Sequence, residues 1–292
     1  MKIALFGRDF NPAYFEQVST LLTTLETRAT EFWVYESFYS YLQTGFNFLK
    51  PVKTFGHGQE LDPETFCMIS IGGDGTLLDT ITLLRDSGIP VLGINTGRLG
   101  FLSAVSTDEI SIAAQALLNG DFSLDRRSLL QMVSPEDLFG QFSYALNELT
   151  VLKRDTSTMI SISAYVDGQF LNTYWADGLI VATPTGSTGY SLSCGGPIIS
   201  PESRNFIITP IATHNLTVRP IVIPDTSTIK LRISGRSQEY LVVLDSRSRP
   251  LSTSVELVIK KARFSINLIC LGQKDFFKTI RNKLAWGFDK RN

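Results

Sequence analysis

Apolar residues run in short unbroken blocks through the first third of the chain. "KIALF" (2–6), "EFWVY" (31–35), "FCMISI" (66–71) and "IPVLGIN" (89–95) are rich in β-branched or aromatic side chains. Segments with helical spacing lie around 12–27, 76–85 and 107–118. Continuous apolar strands alternating with helices predict a parallel sheet with helices on both faces. After Asp121 the segments become strand-like and often alternate, as in "FSLDRRSLLQMV", "STIKLRIS", "YLVVLD", "SVELVIKK" and "RFSINLI". "MISISAYVDGQFLNTYW" reads as two strands joined at Asp167-Gly168, a strong hairpin signal. Such a series predicts a mainly β domain, a sandwich or similar packed sheets. In "QKDFFKTIRNKLAW", Phe276, Phe277, Ile280 and Leu284 fall at helical spacing among lysines and arginines. The chain therefore reads as α/β plus all-β: a parallel-sheet domain over 1–122, a β-rich domain over 123–270, and a closing helix within 271–292 that packs back on the first domain.

Composition narrows the chemistry. The 292 residues carry 27 basic and 28 acidic side chains, so no broad field favours nucleic acid or anionic lipid. Any phosphate chemistry must come from local geometry. No apolar run is long enough to span a bilayer, and "MKIALFGRDF" reads as a strand, not as a leader. Cys67, Cys194 and Cys270 are odd in number and widely spaced, which suits reduced thiols in a cytoplasmic protein better than a disulfide framework. With only His57 and His214, no His-rich metal site is expected.

The segment "SIGGDGTLLDTI" (70–81) leads from an apolar strand into Gly72, Gly73 and Gly75 around Asp74, then into a helix from Thr76. Glycines permit positive φ and close approach of a ligand to the backbone. Amides at the helix start favour anions. The segment lacks the lysine of a P-loop and the third glycine of a dinucleotide fingerprint. By itself it could be a tight turn with Asp74 as a solvated cap.

"GGDGT" also resembles the signature shared by NAD kinases, diacylglycerol-type lipid kinases and 6-phosphofructokinases. The resemblance implies that the amides serve phosphate while Asp74 faces the accepting hydroxyl, either taking its proton or orienting it. Three further segments resemble the NAD kinases in particular: "NTGRLGFL" (95–102), "ALNELTV" (145–151) and "ADGLIVATPTGSTGYSLSCGGPIISP" (176–201), the last continuing into "ITPIATHNLTVRPIVIP" (208–224). The family implies a Rossmann-like first domain, a β-sandwich-like second domain, and transfer of the γ-phosphoryl of ATP to the 2′-hydroxyl of the adenosine ribose of NAD. It assigns Asp74 to catalysis, and Gly72, Gly73, Thr76 and Arg98 to the donor phosphates. It assigns Gly75, Phe101, Asn147, Glu148, Thr188, Gly189, Tyr190, Ser191, Leu192 and Ser193 to NAD, with Asp177 and Ala212 near the nicotinamide end. Arg247 stands in "LDSR" (244–247) where the family has glutamine, and Gly189 where alanine is commoner. Mg²⁺ or another divalent cation would come with ATP, with no metal held by the protein alone. A homodimer or homotetramer is implied, with neither nucleic acid nor membrane as partner. Two rivals stay open: a lipid or sugar kinase with the same glycine turn, and a dinucleotide-binding sensor that has lost turnover.

Overall fold

The computed structural model describes residues 1–57, 61–97, 100–103, 105–154, 158–272 and 275–286. The chain divides into two compact units, one of residues 1–126 with 266–292, the other of residues 127–265.

The first unit opens with β1 (Lys2–Gly7), α1 (Phe15–Glu26), β2 (Glu31–Tyr35), α2 (Glu36–Leu42) and β3 (Val52–Phe55). It continues with β4 (Thr65–Ile71), α3 (Asp74–Leu84), β5 (Val91–Asn95), the short β6 (Val105–Ser106) and α4 (Ile110–Asn119). The strands lie in the order β5-β4-β1-β2-β3, all parallel. Apart from the half-buried Phe66, β4 and β5 are buried along their whole length, as strands covered on both faces must be. Leu21, Leu22 and Leu25 of α1 and Ala113, Ala114 and Leu117 of α4 share one core cluster with Ile3, Ile69 and Leu92. The sequence pattern missed β3, and it began α3 two residues late: Asp74 is already the first residue of the helix.

What this sheet positions is its carboxyl edge. β4 and β5 are neighbours in register, with Ile71 opposite Ile94, so the turns that follow them emerge side by side. Chain order reverses between β1 and β4, and in open α/β sheets ligands bind at such a switch, beyond the strand ends.

The second unit is antiparallel. It contains most of β7 (Phe122–Ser134), then β8 (Tyr144–Ala145), β9 (Glu148–Lys153), β10 (Ile160–Val166), β11 (Gln169–Ala176) and β12 (Gly178–Ala182). A one-turn helix α5 (Tyr190–Ser193) precedes β13 (Asn205–Ile211), β14 (Ile221–Pro224), β15 (Ile229–Ser234), β16 (Glu239–Leu244), β17 (Arg247–Ser252) and β18 (Leu257–Leu271). One sheet runs β11-β10-β15-β18 and the other β14-β13-β12-β9-β16-β17. Alternate residues of both, among them Ile162, Ala164 and Leu231 with Leu149, Val151, Leu179 and Val242, form a single core. The β10–β11 turn has Asp167 at φ 51° and Gly168 at φ 82°, the pair of positive angles that a two-residue hairpin requires. The apolar parts of "SVELVIKK" and "RFSINLI" lie in one continuous strand, β18, which begins at Leu257, and not in two. Its last residues belong to the first unit, where Leu268 pairs with Val91. The closing helix α6 (Phe276–Leu284) is part of that unit too.

Candidate active site

In the first unit, Asp74 opens α3 directly after the glycine turn that leaves β4. Gly72 lies at φ 152°, and a Cβ there would fall 2.3 Å from Thr76 Oγ1, so the turn out of β4 needs glycine. Gly73 is the residue before α3, and among the described residues no atom beyond the adjoining backbone lies within 4 Å of a Cβ placed on Gly73 or Gly75. The first amides of α3 therefore stand behind an uncluttered backbone, with no intrahelical partner to receive them.

The Asp74 carboxylate turns to the segment that follows β5. Its Oδ2 accepts from the Phe101 amide at 2.7 Å, and its Oδ1 accepts from Leu102 at 3.2 Å and Ser103 at 3.0 Å. The approach depends on Gly100, where a Cβ would lie 1.8 Å from Asp74 Oδ1. Three backbone donors on one carboxylate fix its direction without the help of any particular side chain. An ionised carboxylate offers about four acceptor positions, and the unequal split leaves room on Oδ2. Thr80 hydrogen-bonds Ser70 at 2.8 Å in the buried interval behind this turn, and Arg8, after β1, pairs with Asp79 on α3. Asn95 closes the end of β5 by accepting from the Gly97 amide at 2.7 Å. Arg98 lies outside the described residues.

In the second unit the Asn-Glu pair sits at an interruption between two strands. The chain breaks between β8 and β9, and the Asp245 carboxylate receives the amides of Leu146, Asn147 and Glu148 at 2.9, 2.8 and 3.2 Å. The turn after β12 lies against this break. Thr183 donates its amide to the Asn147 carbonyl at 2.8 Å and its hydroxyl to the Leu146 carbonyl at 2.5 Å. A Cβ on Gly186 would meet the Asn147 carbonyl oxygen at 2.1 Å, and one on Gly189 would meet Glu148 Oε2 at 3.1 Å. The fold thus brings Asn147, Glu148, Thr188 and Gly189 together, and the room left by Gly189 lies directly beside Glu148. Buried Arg127 supports the same turn through Thr185 Oγ1 at 3.0 Å.

Glu148 is the electrostatically unusual member. Its Oε2 is buried without a hydrogen-bond partner. Burial, and secondarily the Asp245 carboxylate, push its carboxyl up to about 8. Asp245 is also raised by burial, against the pull of its three amide donors. At neutral pH Glu148 therefore carries its proton, and it offers one donor and one acceptor instead of a charge.

The remaining expected residues are less uniform. Tyr190 and Ser193 are exposed on α5, and Leu192 is half-buried. Ser191 points inward and shares a 2.8 Å hydrogen bond with Thr209, so its hydroxyl holds the turn in place. Asp177, between β11 and β12, pairs with Lys153 at 2.6 Å. Ala212 is exposed at φ 45°. Arg247 gives two 2.5 Å hydrogen bonds to the carbonyls of Phe142 and Tyr144 and packs near the rings of Phe139 and Tyr144, beside a cleft of about 570 Å³. His214 packs on Trp175 with ring centroids 4.6 Å apart.

In the first unit a carboxylate held by three backbone amides opens a helix; in the second a hydroxyl-rich turn closes on a neutral acid. Family models for the ATP-NAD kinase N-terminal and C-terminal domains match residues 16–122 and 146–271. An NAD kinase of Cytophaga hutchinsonii is 47% identical over the full length of both chains. The crystal structure of an NAD kinase from Archaeoglobus fulgidus in complex with ATP superposes with a TM-score of 0.74 at 26% identity, over 98% of this chain and 99% of that one. Yeast NADH kinase complexed with NADH shares the fold, with a TM-score of 0.85 at 22% identity over 99% of this chain and 89% of that one. The chain belongs to the NAD kinase family.

Proposed function

We propose that the chain transfers the γ-phosphoryl group of ATP to the 2′-hydroxyl of the adenosine ribose of NAD, giving NADP and ADP. The observation that carries this reading is the Asp74 carboxylate, directed by the amides of residues 101–103 and left with an acceptor position on Oδ2. That position suits an alcohol O–H. The hydroxyl oxygen bonds to the γ-phosphorus, the bond to the bridging oxygen breaks, and the hydroxyl proton leaves by way of Asp74. With three donors already on the carboxylate, holding the hydroxyl in line is its larger contribution.

The amides at the start of α3 serve the donor phosphates, as Gly73 and Gly75 leave the backbone open to them. Among the described residues no group of three His, Cys, Asp or Glu side chains could hold a metal ion unaided. Mg²⁺ carried mainly by the phosphate oxygens and water fits this site, and it would neutralise charge on the phosphates. Asn147, Glu148, Thr188, Gly189, Tyr190 and Ser193 contact the dinucleotide. Asp177 and Ala212 address its nicotinamide end, while Ser191 and Leu192 shape the turn. The Arg247 guanidinium is engaged by two carbonyls, so its effect on NAD is indirect.

Among the described residues no helix is long and apolar enough to cross a membrane. The edge strand β11 exposes Phe170 and Trp175, a surface suited to assembly of a homodimer or homotetramer, and sedimentation giving only a monomer would overturn that assignment.

Incubation with Mg-ATP and NAD, followed by an NADP-specific dehydrogenase, tests the activity. Formation of NADP is expected. Tight NAD binding without NADP would identify a sensor, and a phosphorylated lipid or sugar in place of NADP would identify the other rival.

The state of Glu148 gives a separate expectation. Its native pKa of about 8 lies above the ordinary 4.5, so the folded protein holds the extra proton between those values. Stability therefore falls as pH rises through this window, by up to about 1.4 kcal/mol per unit, and the Glu148 contribution is level above it. Glu148→Gln should remove this component. Urea denaturation of both proteins from pH 5 to 9 reads the difference, and parallel curves would contradict the assignment.

A further inference from the structure

β1 ends at Gly7, which lies opposite Ile71, the last residue of β4. Arg8 therefore leaves the sheet beside the glycine turn, at the strand pair where chain order reverses. Its guanidinium reaches across to α3, where Nη2 donates to Asp79 Oδ2. Asp79 shares a face of that helix with Gly75, four residues earlier and about 6 Å back along the axis. Helical side chains lean toward the N-terminus, so the Asp79 carboxylate extends over the turn that Gly75 begins. Beyond it that face is clear, since nothing but adjoining backbone among the described residues lies within 4 Å of a Cβ on Gly75. Arg8 thus holds a positive charge about one turn from the first amides of α3.

The pairing is easily exchanged. The Arg8 side chain is 69% exposed, and an exposed ion pair adds little to stability. Its polar partner among the described residues is Asp79, met through one nitrogen, whereas a guanidinium presents five N–H donors in a planar fork. Such a fork matches two phosphate oxygens at once. The segment 70–81 contains neither lysine nor arginine, and Asp74 adds a negative charge at its centre. A cation brought in from the end of β1 offsets both that charge and the phosphates.

On the reading of the chain as a kinase acting on NAD, we propose that Arg8 binds the donor phosphates of ATP, its guanidinium exchanging Asp79 for phosphate oxygens beside the first amides of α3. Asp79 is the positioning residue, keeping the guanidinium against the helix. As the bond from the γ-phosphorus to the bridging oxygen breaks, negative charge grows on the ADP oxygens, and the guanidinium stabilises it. No proton moves to or from Arg8, which stays charged throughout.

Arg8→Met, Arg8→Lys and Asp79→Asn, compared with the parent protein, test this. Arg8→Met and Asp79→Asn both remove the ion pair, but only the first removes the cation. For Arg8→Met we expect kcat/KM for ATP to fall about 10- to 100-fold and Mg-ATP binding to weaken. KM for NAD should stay within about twofold. Asp79→Asn keeps an oxygen that accepts from Arg8, so its ATP kinetics and binding should stay within about threefold of the parent. Arg8→Lys should recover part of the loss, since it restores the charge without the fork. Thermal midpoints should all lie within about 2 °C of the parent. Unchanged ATP kinetics and binding in Arg8→Met would overturn the proposal. So would equal losses in Arg8→Met and Asp79→Asn, the mark of an ion pair that only braces the helix. If Arg8→Met fails to fold, Arg8→Gln takes its place under the same criteria. Mg-ATP binding without NAD keeps the two readings apart. A parent protein that makes no NADP, yet loses Mg-ATP affinity on Arg8→Met, refutes the acceptor and not the arginine. NADP formation with intact Mg-ATP affinity in Arg8→Met refutes the arginine alone.

Discussion

Asp74→Asn should lower turnover by about 10³-fold while leaving the affinity for NAD within a few-fold of the parent. The geometry explains both halves. Asparagine has one acceptor oxygen and an amide nitrogen that only donates, yet the segment after β5 presents three N–H groups to this side chain. At least one of those amides would face another donor, so the 101–103 backbone must shift, and the charge that holds the acceptor hydroxyl is gone. The residues assigned to NAD affinity, Asn147 and Glu148, are held by Asp245 in the other unit and are untouched. Turnover from the coupled assay and NAD affinity from calorimetry give the two numbers. A fully active Asp74→Asn would refute the mechanism.

The second large effect falls on a residue with no side chain. Gly100→Ala would place its Cβ 1.8 Å from Asp74 Oδ1 and 2.2 Å from its carboxyl carbon, far inside van der Waals contact. Either the carboxylate turns away or the backbone retreats, and the amide cradle is lost in both cases. Displacement of a reacting group by about 1 Å can cost about 100-fold in rate, so kcat should fall by that order with little change in KM for NAD. Steady-state kinetics of the purified variant decide the matter. A normal kcat would mean that the 100–103 segment rearranges freely and that its grip on Asp74 is unimportant.

Much of this was legible in the sequence for reasons that can be stated. β2 follows from the apolar run "EFWVY", and the β10–β11 turn follows from Asp167-Gly168 because few other pairs accept two positive φ angles. β3 escaped because "VKTF" has two exposed central residues and no clear alternation. β18 reads as two strands because Lys260, Lys261 and Arg263 interrupt its apolar positions, all three being exposed in the middle of the strand. At the site, the glycine turn and its aspartate stood out by residue type. Their anchoring did not, because backbone amides provide it and backbone amides have no signature; Gly100 is its only trace. Asp245 and Arg127 went unrecognised as supports, since nothing in a sequence announces which charge will be buried.

The central claim is that Asp74 serves the accepting hydroxyl and not the phosphate. The most direct measurement is a thermodynamic cycle pairing Asp74→Ala with an NAD analogue lacking the adenosine 2′-hydroxyl, scored by equilibrium affinity without ATP. In the parent protein, loss of the hydroxyl should weaken binding by about 1.5–3 kcal/mol, the range for a hydrogen bond to a charged group. In Asp74→Ala the same deletion should cost almost nothing, leaving a coupling of nearly the full amount. Losses that simply add would mean that Asp74 and the 2′-hydroxyl never meet.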